Sequence, residues 1–160
     1  MLDCETPKGK RYIHYESLTA QWIEDRSRGK TKLVKFDELT SSADRFAVSP
    51  ISGAKQALIE IKARNMKKDT FVNQFNSEYM ISTHKVNKCK NIAEKYEIPF
   101  FVFVNMIKDN YILRIKAIDK NGNFSQHRIE NRQTQNTCNG GTKYDEVYLF
   151  KVPSDMIIPK

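Results

Sequence analysis

Cysteine and histidine are scarce in this chain of 160 residues, which has only Cys4, Cys89 and Cys138, and His14, His84 and His127. Neither type occurs in the close pairs that a zinc site or a redox disulfide needs. The three thiols are therefore read as free, and any metal site must be built from oxygen ligands. Long apolar runs are missing too. The longest, Ile98 to Val104, spans seven residues including a proline, whereas a bilayer-spanning helix needs about 20, so no membrane span is expected. The first ten residues carry acids and a proline where a secretory signal needs an apolar stretch. They are read as a loose arm on a chain that stays in the cytoplasm. The length suits one domain over residues 1–160, because two halves would each be too small to bury much surface.

Acidic side chains are also in deficit, 19 against 27 Lys plus Arg, for a formal charge of +8. The excess is local. Residues 55–95 hold nine basic against four acidic groups, while the stretches on either side are nearly balanced. Two readings fit: charge kept for solubility, or a polyanionic partner whose counterions are released on binding. Under the second, Arg64, Lys67, Lys68, Lys85 and Lys88 are the candidate phosphate contacts.

What is present reads as alternating elements. Leu18 and Trp22, with Thr19 and Ile23, have helical spacing, which predicts a first helix over residues 15–26, ending before Gly29. Short strands are expected at 32–36 and 45–48, then a turn at Ser49-Pro-Ile-Ser-Gly53 and a central strand over 56–64. Residues 65–81 carry no decisive pattern. Val86, Cys89, Ile92, Ala93 and Tyr96 predict a helix capped by Ser82 or Thr83. The run from Pro99 to Val104 has the character of a buried strand, and strand, helix and strand predict parallel neighbours joined by a right-handed crossover. Beyond it, residues 111–117 alternate as a half-exposed strand with Asn121-Gly122 as a hairpin turn, residues 132–142 read as a mobile loop, and residues 147–152 as a returning strand. The expected class is α/β: a mixed central sheet flanked by helices, with additional antiparallel strands at the C-terminal end. Trp22, Phe100, Phe101 and Phe103 suit the core, although an exposed ring could stack on an unpaired base.

Glu60-Ile61-Lys62 carries the chemistry. Strand alternation puts Glu60 and Lys62 on one face, and the turn at 50–53 would return the segment beginning at Asp44 alongside. Two carboxylates converging there could hold one divalent cation. Phosphodiester hydrolysis needs a positioned water and relief of charge on the transition state, and oxygen-bound Mg²⁺, or Mn²⁺ in its place, supplies much of both. Asp44, Glu60 and the backbone carbonyl of Ile61 would hold the ion, and Lys62 would orient the water and offset charge. A solvent-facing Glu/Lys pair on an edge strand is the ordinary alternative for such a tripeptide.

In its context the pattern resembles the PD-(D/E)xK nuclease superfamily, the restriction-endonuclease-like fold, and within it the small Holliday-junction-resolvase-like branch. The resemblance rests on Ala43-Asp-Arg-Phe-Ala47, on Leu58-Ile-Glu-Ile-Lys-Ala-Arg64, and on Ile81-Ser-Thr-His-Lys85 leading to Ala93-Glu-Lys-Tyr-Glu-Ile-Pro99, across about residues 11–106. It implies a metal-dependent nuclease core with Asp44, Glu60 and Lys62 as signature residues. It further implies an acid from the first helix, Glu16 with Glu24 as the alternative, and a bacterial or phage-encoded origin. Asp44 follows Ala43 where the superfamily pattern has proline, which leaves Asp37 as a second upstream candidate. The start of the second long helix falls near the active face, where Lys85 could contact a phosphate or be a solvated lysine; His84 is given no role. The implied partner is DNA, with RNA left open. Junction resolution would require two sites acting on symmetric strands, hence a homodimer. A non-catalytic nucleic-acid-binding or assembly module on the same fold is the competing reading. A small-molecule enzyme lacks support, since there is no Gly-rich phosphate loop or nucleophile triad.

Overall fold

The computed structural model describes residues 7–39, 44–136 and 142–160. Order begins earlier than expected. Helix α1 runs Pro7–Arg26, so residues 7–10 belong to a helix and not to an arm. Proline suits the first helical turn, where its missing N–H would be unpaired anyway. One face of α1 buries Thr19, Ala20 and Ile23, and the helix gives way to a left-handed turn at Arg28 and Gly29, with φ of 54° and 81°.

Strands β1 (Lys32–Val34), β2 (Asp44–Val48) and β3 (Lys55–Arg64) follow. The unassigned stretch resolves into helix α2 (Lys68–Gln74) and strand β4 (Glu78–Ser82). Then come helix α3 (Thr83–Tyr96), β5 (Phe100–Met106), β6 (Tyr111–Ile118), β7 (His127–Asn136), β8 (Thr142–Lys151) and β9 (Ile157–Pro159). Six strands form a mixed sheet in the order β1-β2-β3-β5-β6-β9, and β4-β8-β7 form a smaller antiparallel sheet. β3 and β5 pair in parallel, as expected for strands separated by a helix. This is the α/β architecture of the restriction-endonuclease-like fold, with antiparallel strands added toward the C-terminal end.

Alternation along β3 divides the core. Leu58 faces the α3 side with Phe46, Val102 and Val86, while Ala57, Ile59 and Ile61 face α1 with Ala20 and Ile23. Phe46, Phe71, Phe100 and Phe150 are fully buried on the α3 side, each stabilising by roughly 1.5–3 kcal/mol. That side therefore anchors the sheet, and α3 is held against it by Val86, Cys89 and Ala93. Ser82 caps α3 by accepting the Lys85 backbone N–H at 3.2 Å, and Glu97 ends the helix in the left-handed conformation.

Three sequence expectations need correction or delimiting. Asn121-Gly122 does form a turn, with Gly122 at φ 84° and the Asp119 carboxylate accepting the backbone N–H groups of Asn121 and Asn123. It does not form a hairpin: after one bridge, Ile118 to Phe124, the chain leaves for the smaller sheet. The span expected to be a loop at 132–142 is largely strand, since β7 continues to Asn136 and β8 starts at Thr142; residues 137–141 lie outside the described residues. A polar Gln/Asn/Thr sequence is tolerated there because β7 is an edge strand whose backbone pairs with β8 on one side only. Cys89 is a free thiol, buried on the inner face of α3, while Cys4 and Cys138 lie outside the described residues. Among the described residues, no helix is long and apolar enough to cross a membrane.

Candidate active site

The turn at Ser49–Ala54 sets the register on which the site depends. Ser49 N–H donates to the Ala54 carbonyl at 2.9 Å, Gly53 N–H donates to the Ser49 carbonyl at 2.8 Å, and Gly53 takes φ 73°. From there β2 and β3 zip back, through an irregularity at Ala47/Val48, until Asp44 lies directly opposite Glu60. A slip of one residue would turn Glu60 to the other face. The expected convergence is thus built by backbone pairing alone.

Both carboxylates are buried, Asp44 at 1% and Glu60 at 3% exposure. Unpaired, each would carry a desolvation cost of several kcal/mol. Lysines offset it. The Lys85 ammonium donates to both oxygens of Asp44, at 2.8 and 2.7 Å, and lies 3.7 Å from Glu60. Lys62 Nζ lies 3.5 Å from the same Glu60 oxygen. Burial by itself would lower the Lys85 pKa, but Glu60 and then Asp44 more than reverse this and hold it above its ordinary value. Lys35, just after β1, donates to the Asp44 backbone carbonyl at 3.4 Å, and burial lowers its pKa against the pull of the Asp44 carboxylate.

Among the acidic candidates, Glu16 stands on the face of α1 that carries Thr19. Thr19 Oγ1 accepts from Asn105 Nδ2 of β5 at 2.9 Å, which fixes the rotation of the helix. Glu16 is half-buried, and desolvation raises its pKa against the pull of Lys62, Arg45 and Arg64. It senses the site electrostatically, yet among the described residues no three acids, histidines or cysteines form a common cluster. Glu24 is turned elsewhere and accepts the Leu33 N–H at 3.1 Å. Asp37 lies exposed in the turn after β1, and His84 is exposed on α3.

A cavity of about 350 Å³ opens over Glu60 and Lys62, with Arg64, Tyr79, Ser82 and Lys85 in its walls. Burial pushes the Tyr79 phenol up to about 12, so it stays protonated. Burial likewise pushes the Cys89 thiol up to about 12, with Asp44 adding to the effect, which makes it an inert neighbour. Of the expected phosphate contacts, Arg64 and Lys85 line this cavity, Lys88 sits one turn beyond Lys85 on α3, and Lys67 is exposed before α2. Lys68 instead places its ammonium 4.6 Å above the Tyr111 ring. Lys35 and Tyr79 were not among the sequence candidates. Lys35 could have been found, since β1 pairs with β2 and so runs beside Asp44; Tyr79 could not, because β4 joins a sheet whose other strands come much later.

An α/β core with a strand-borne Asp opposite Glu-x-Lys defines the PD-(D/E)xK nuclease superfamily. A family model described as "Phage putative PDDEXK endonuclease" matches residues 14–147, and the chain belongs to that family. No curated protein and no solved structure matches the chain.

Proposed function

We propose that this protein is a metal-dependent endonuclease that hydrolyses DNA phosphodiester bonds, using Asp44, Glu60 and Lys62. The observation that carries the reading is the register of Asp44 against Glu60: two buried carboxylates paired across β2 and β3, with Glu60 in the wall of an open basic cavity. Such a pair has no structural need to be ionic, because a buried ion pair is rarely more stabilising than apolar packing.

The residues present fit a divalent cation. The donors are all oxygen, and a cationic group already rests against both acids, the Lys85 ammonium 2.7 Å from Asp44 and 3.7 Å from Glu60, which is the position a metal ion would take in its place. Asp44, Glu60 and the Ile61 carbonyl would hold Mg²⁺ or Mn²⁺, with Glu16 close enough to add charge from α1. When bound, the ion supplies Lewis acidity to the phosphate and acidifies a water. The rest falls to the chain itself. Lys62 is about a third exposed, at 30%, so its ammonium can donate to a non-bridging phosphate oxygen or hold the attacking water while its stem stays packed. Arg64 presents a fork that suits a phosphate. Lys85, released from Asp44, would meet the same phosphate from the first turn of α3.

A structure-specific or junction-resolving version, acting as a homodimer in the cytoplasm of a bacterial cell, extends this reading. A second reading is favoured by one observation, the firm hold of Lys85 on Asp44. If that ammonium is never exchanged, the protein is a nucleic-acid-binding or assembly module. The test is cleavage of linear and branched DNA, and of RNA, with Mg²⁺, Mn²⁺ or EDTA. Cleavage should need the metal, and Glu60→Gln or Lys62→Ala should lower it by at least about 10²-fold with unchanged circular dichroism. Metal-independent binding with no cleavage of any substrate would favour the second reading.

A further inference from the structure

Next to the carboxylate cavity lies a second hollow of about 470 Å³, whose lining includes Arg64, Lys67, Lys108, Gln74 and Phe75. Arg64 lines both, so the two adjoin at its side chain. Three cations and no acid line the second hollow, which selects an anion.

Phe75 is the unexpected member. It is 49% exposed, whereas Phe71, one turn earlier in α2, is 1% exposed and fills the core. The turn after Phe75 is strained: Asn76 and Ser77 both take left-handed backbone angles, φ 54° and 55°, which side-chain-bearing residues adopt at a cost. The turn is nonetheless held on every side. Ser77 N–H donates to the Phe71 carbonyl at 3.0 Å, Glu78 N–H to the Phe75 carbonyl at 2.9 Å, and Val152 N–H to the Ser77 carbonyl at 2.8 Å. Lys151 Nζ donates to the Asn76 carbonyl and, at 3.3 Å, to its side-chain oxygen. The smaller sheet therefore fixes the backbone turn beside an exposed aromatic ring that lines a basic hollow.

We propose that this hollow is a subsite for one unpaired nucleotide flanking the cleaved phosphodiester. Its base stacks on Phe75, and its phosphate lies among Arg64, Lys67 and Lys108. A ring beside three cations matches a π-face joined to an anion. A base inside a duplex is stacked on both faces and offers only its edges, so the nucleotide must be unpaired. The inference rests on the hydrolytic reading of the adjoining cavity and narrows its substrate to DNA with a single-stranded nucleotide next to the cut.

The test is fluorescence anisotropy in EDTA, where no cleavage occurs, with blunt duplex, the same duplex carrying a single-stranded overhang, and an overhang bearing 2-aminopurine at its first unpaired position. Wild-type protein should bind the overhang more tightly than the blunt end and quench the 2-aminopurine. Phe75→Ala should weaken overhang binding about tenfold and abolish quenching with blunt binding unchanged, while Phe75→Trp should retain both. Equal affinity of wild type and Phe75→Ala for the overhang, or equal losses on both duplexes, would overturn the subsite. Parallel cleavage assays with Mg²⁺ separate the two claims. Cutting without a Phe75 effect removes only the subsite, and a Phe75 effect without cutting removes only the hydrolase.

Discussion

Two ionic clusters in this molecule use the same chemistry in opposite surroundings. On the surface of the smaller sheet, Arg128 forks onto Glu78 at 2.8 and 3.0 Å, also meets Glu130, and Arg132 meets Glu130 at 2.7 Å. At the end of β3, Lys85 and Lys62 lie 3.7 and 3.5 Å from Glu60. Lys85 meets Asp44 of the same buried cluster at 2.7 Å, as closely as the surface partners meet, so distance does not separate the two. Environment does. Arg128 is 47% exposed, and charges 4 Å apart attract by about 1 kcal/mol in water against about 4 kcal/mol in a protein-like medium. Such contacts on a surface decide little, while around buried carboxylates they decide whether the strand ends can stay together. Charge is kept on the surface because it is harmless there, and at β3 in spite of its cost, which is what a working site would require.

The comparison is broken most sharply by removing Lys85. Lys85→Met leaves Lys62, 3.5 Å from Glu60, and Lys35, on the Asp44 backbone carbonyl, as the neighbouring ammonium groups. Removing one partner of a buried ion pair costs about 3–5 kcal/mol, so melting in EDTA should fall by roughly 10 °C. Millimolar Mg²⁺ or Mn²⁺ should then raise the melting temperature of the variant more than that of wild type, because the vacated position is one a cation can fill. Melting of the variant at the wild-type temperature in EDTA would show that the buried cluster is no more coupled than the surface one.

Much of this site could be read from residue order, because it is made by local rules. A turn at 49–54 and two alternating strands fix Asp44 opposite Glu60, and a capped helix with apolar residues at 86, 89 and 93 brings the basic segment back over it. What could not be read depends on distant pairing or on an energy balance. Residues 78–82 are a strand only because β8 supplies a partner some seventy residues later. The Gln/Asn-rich β7 has little strand character of its own. Residue order puts Lys85 near the active face, as a phosphate contact or a solvated lysine; that it serves as counter-ion to Asp44 follows only once both acids are seen to be buried, since a pattern of residue types carries no depth.

An intermediate case tests whether geometry can stand in for burial. Asp109 is half-buried, and its carboxylate accepts the backbone N–H of Lys68 at 3.0 Å and of Asn110 at 2.8 Å. It thereby caps α2, the helix that leads to Phe75. These N–H groups hold its pKa below the ordinary 3.8. A carboxyl whose folded pKa is depressed contributes stability above its unfolded pKa and loses it as the pH falls through the folded value. Asp109→Asn should therefore lower the melting temperature at neutral pH, by less than Lys85→Met. The variant and wild-type curves should converge as the pH is taken below 3.8. A difference that persists in acid would mean that the side chain acts through packing and not through its charge.

The smallest effect is expected from Glu130→Gln, and its smallness is the point. Glu130 links Arg128 to Arg132, and hydrogen bonds from Arg132 and then Arg128 hold its carboxyl below the usual glutamate value. Yet Arg128 keeps its two-point contact with Glu78 when Glu130 is neutralised. Exposed pairs lose side-chain entropy on forming and are screened by salt. Thermal melts of the variant should stay close to wild type at low ionic strength and coincide with it in high salt. A loss as large as that of Lys85→Met would mean that the network, not the buried cluster, joins the smaller sheet to the rest, and burial would then not be what separates the two clusters.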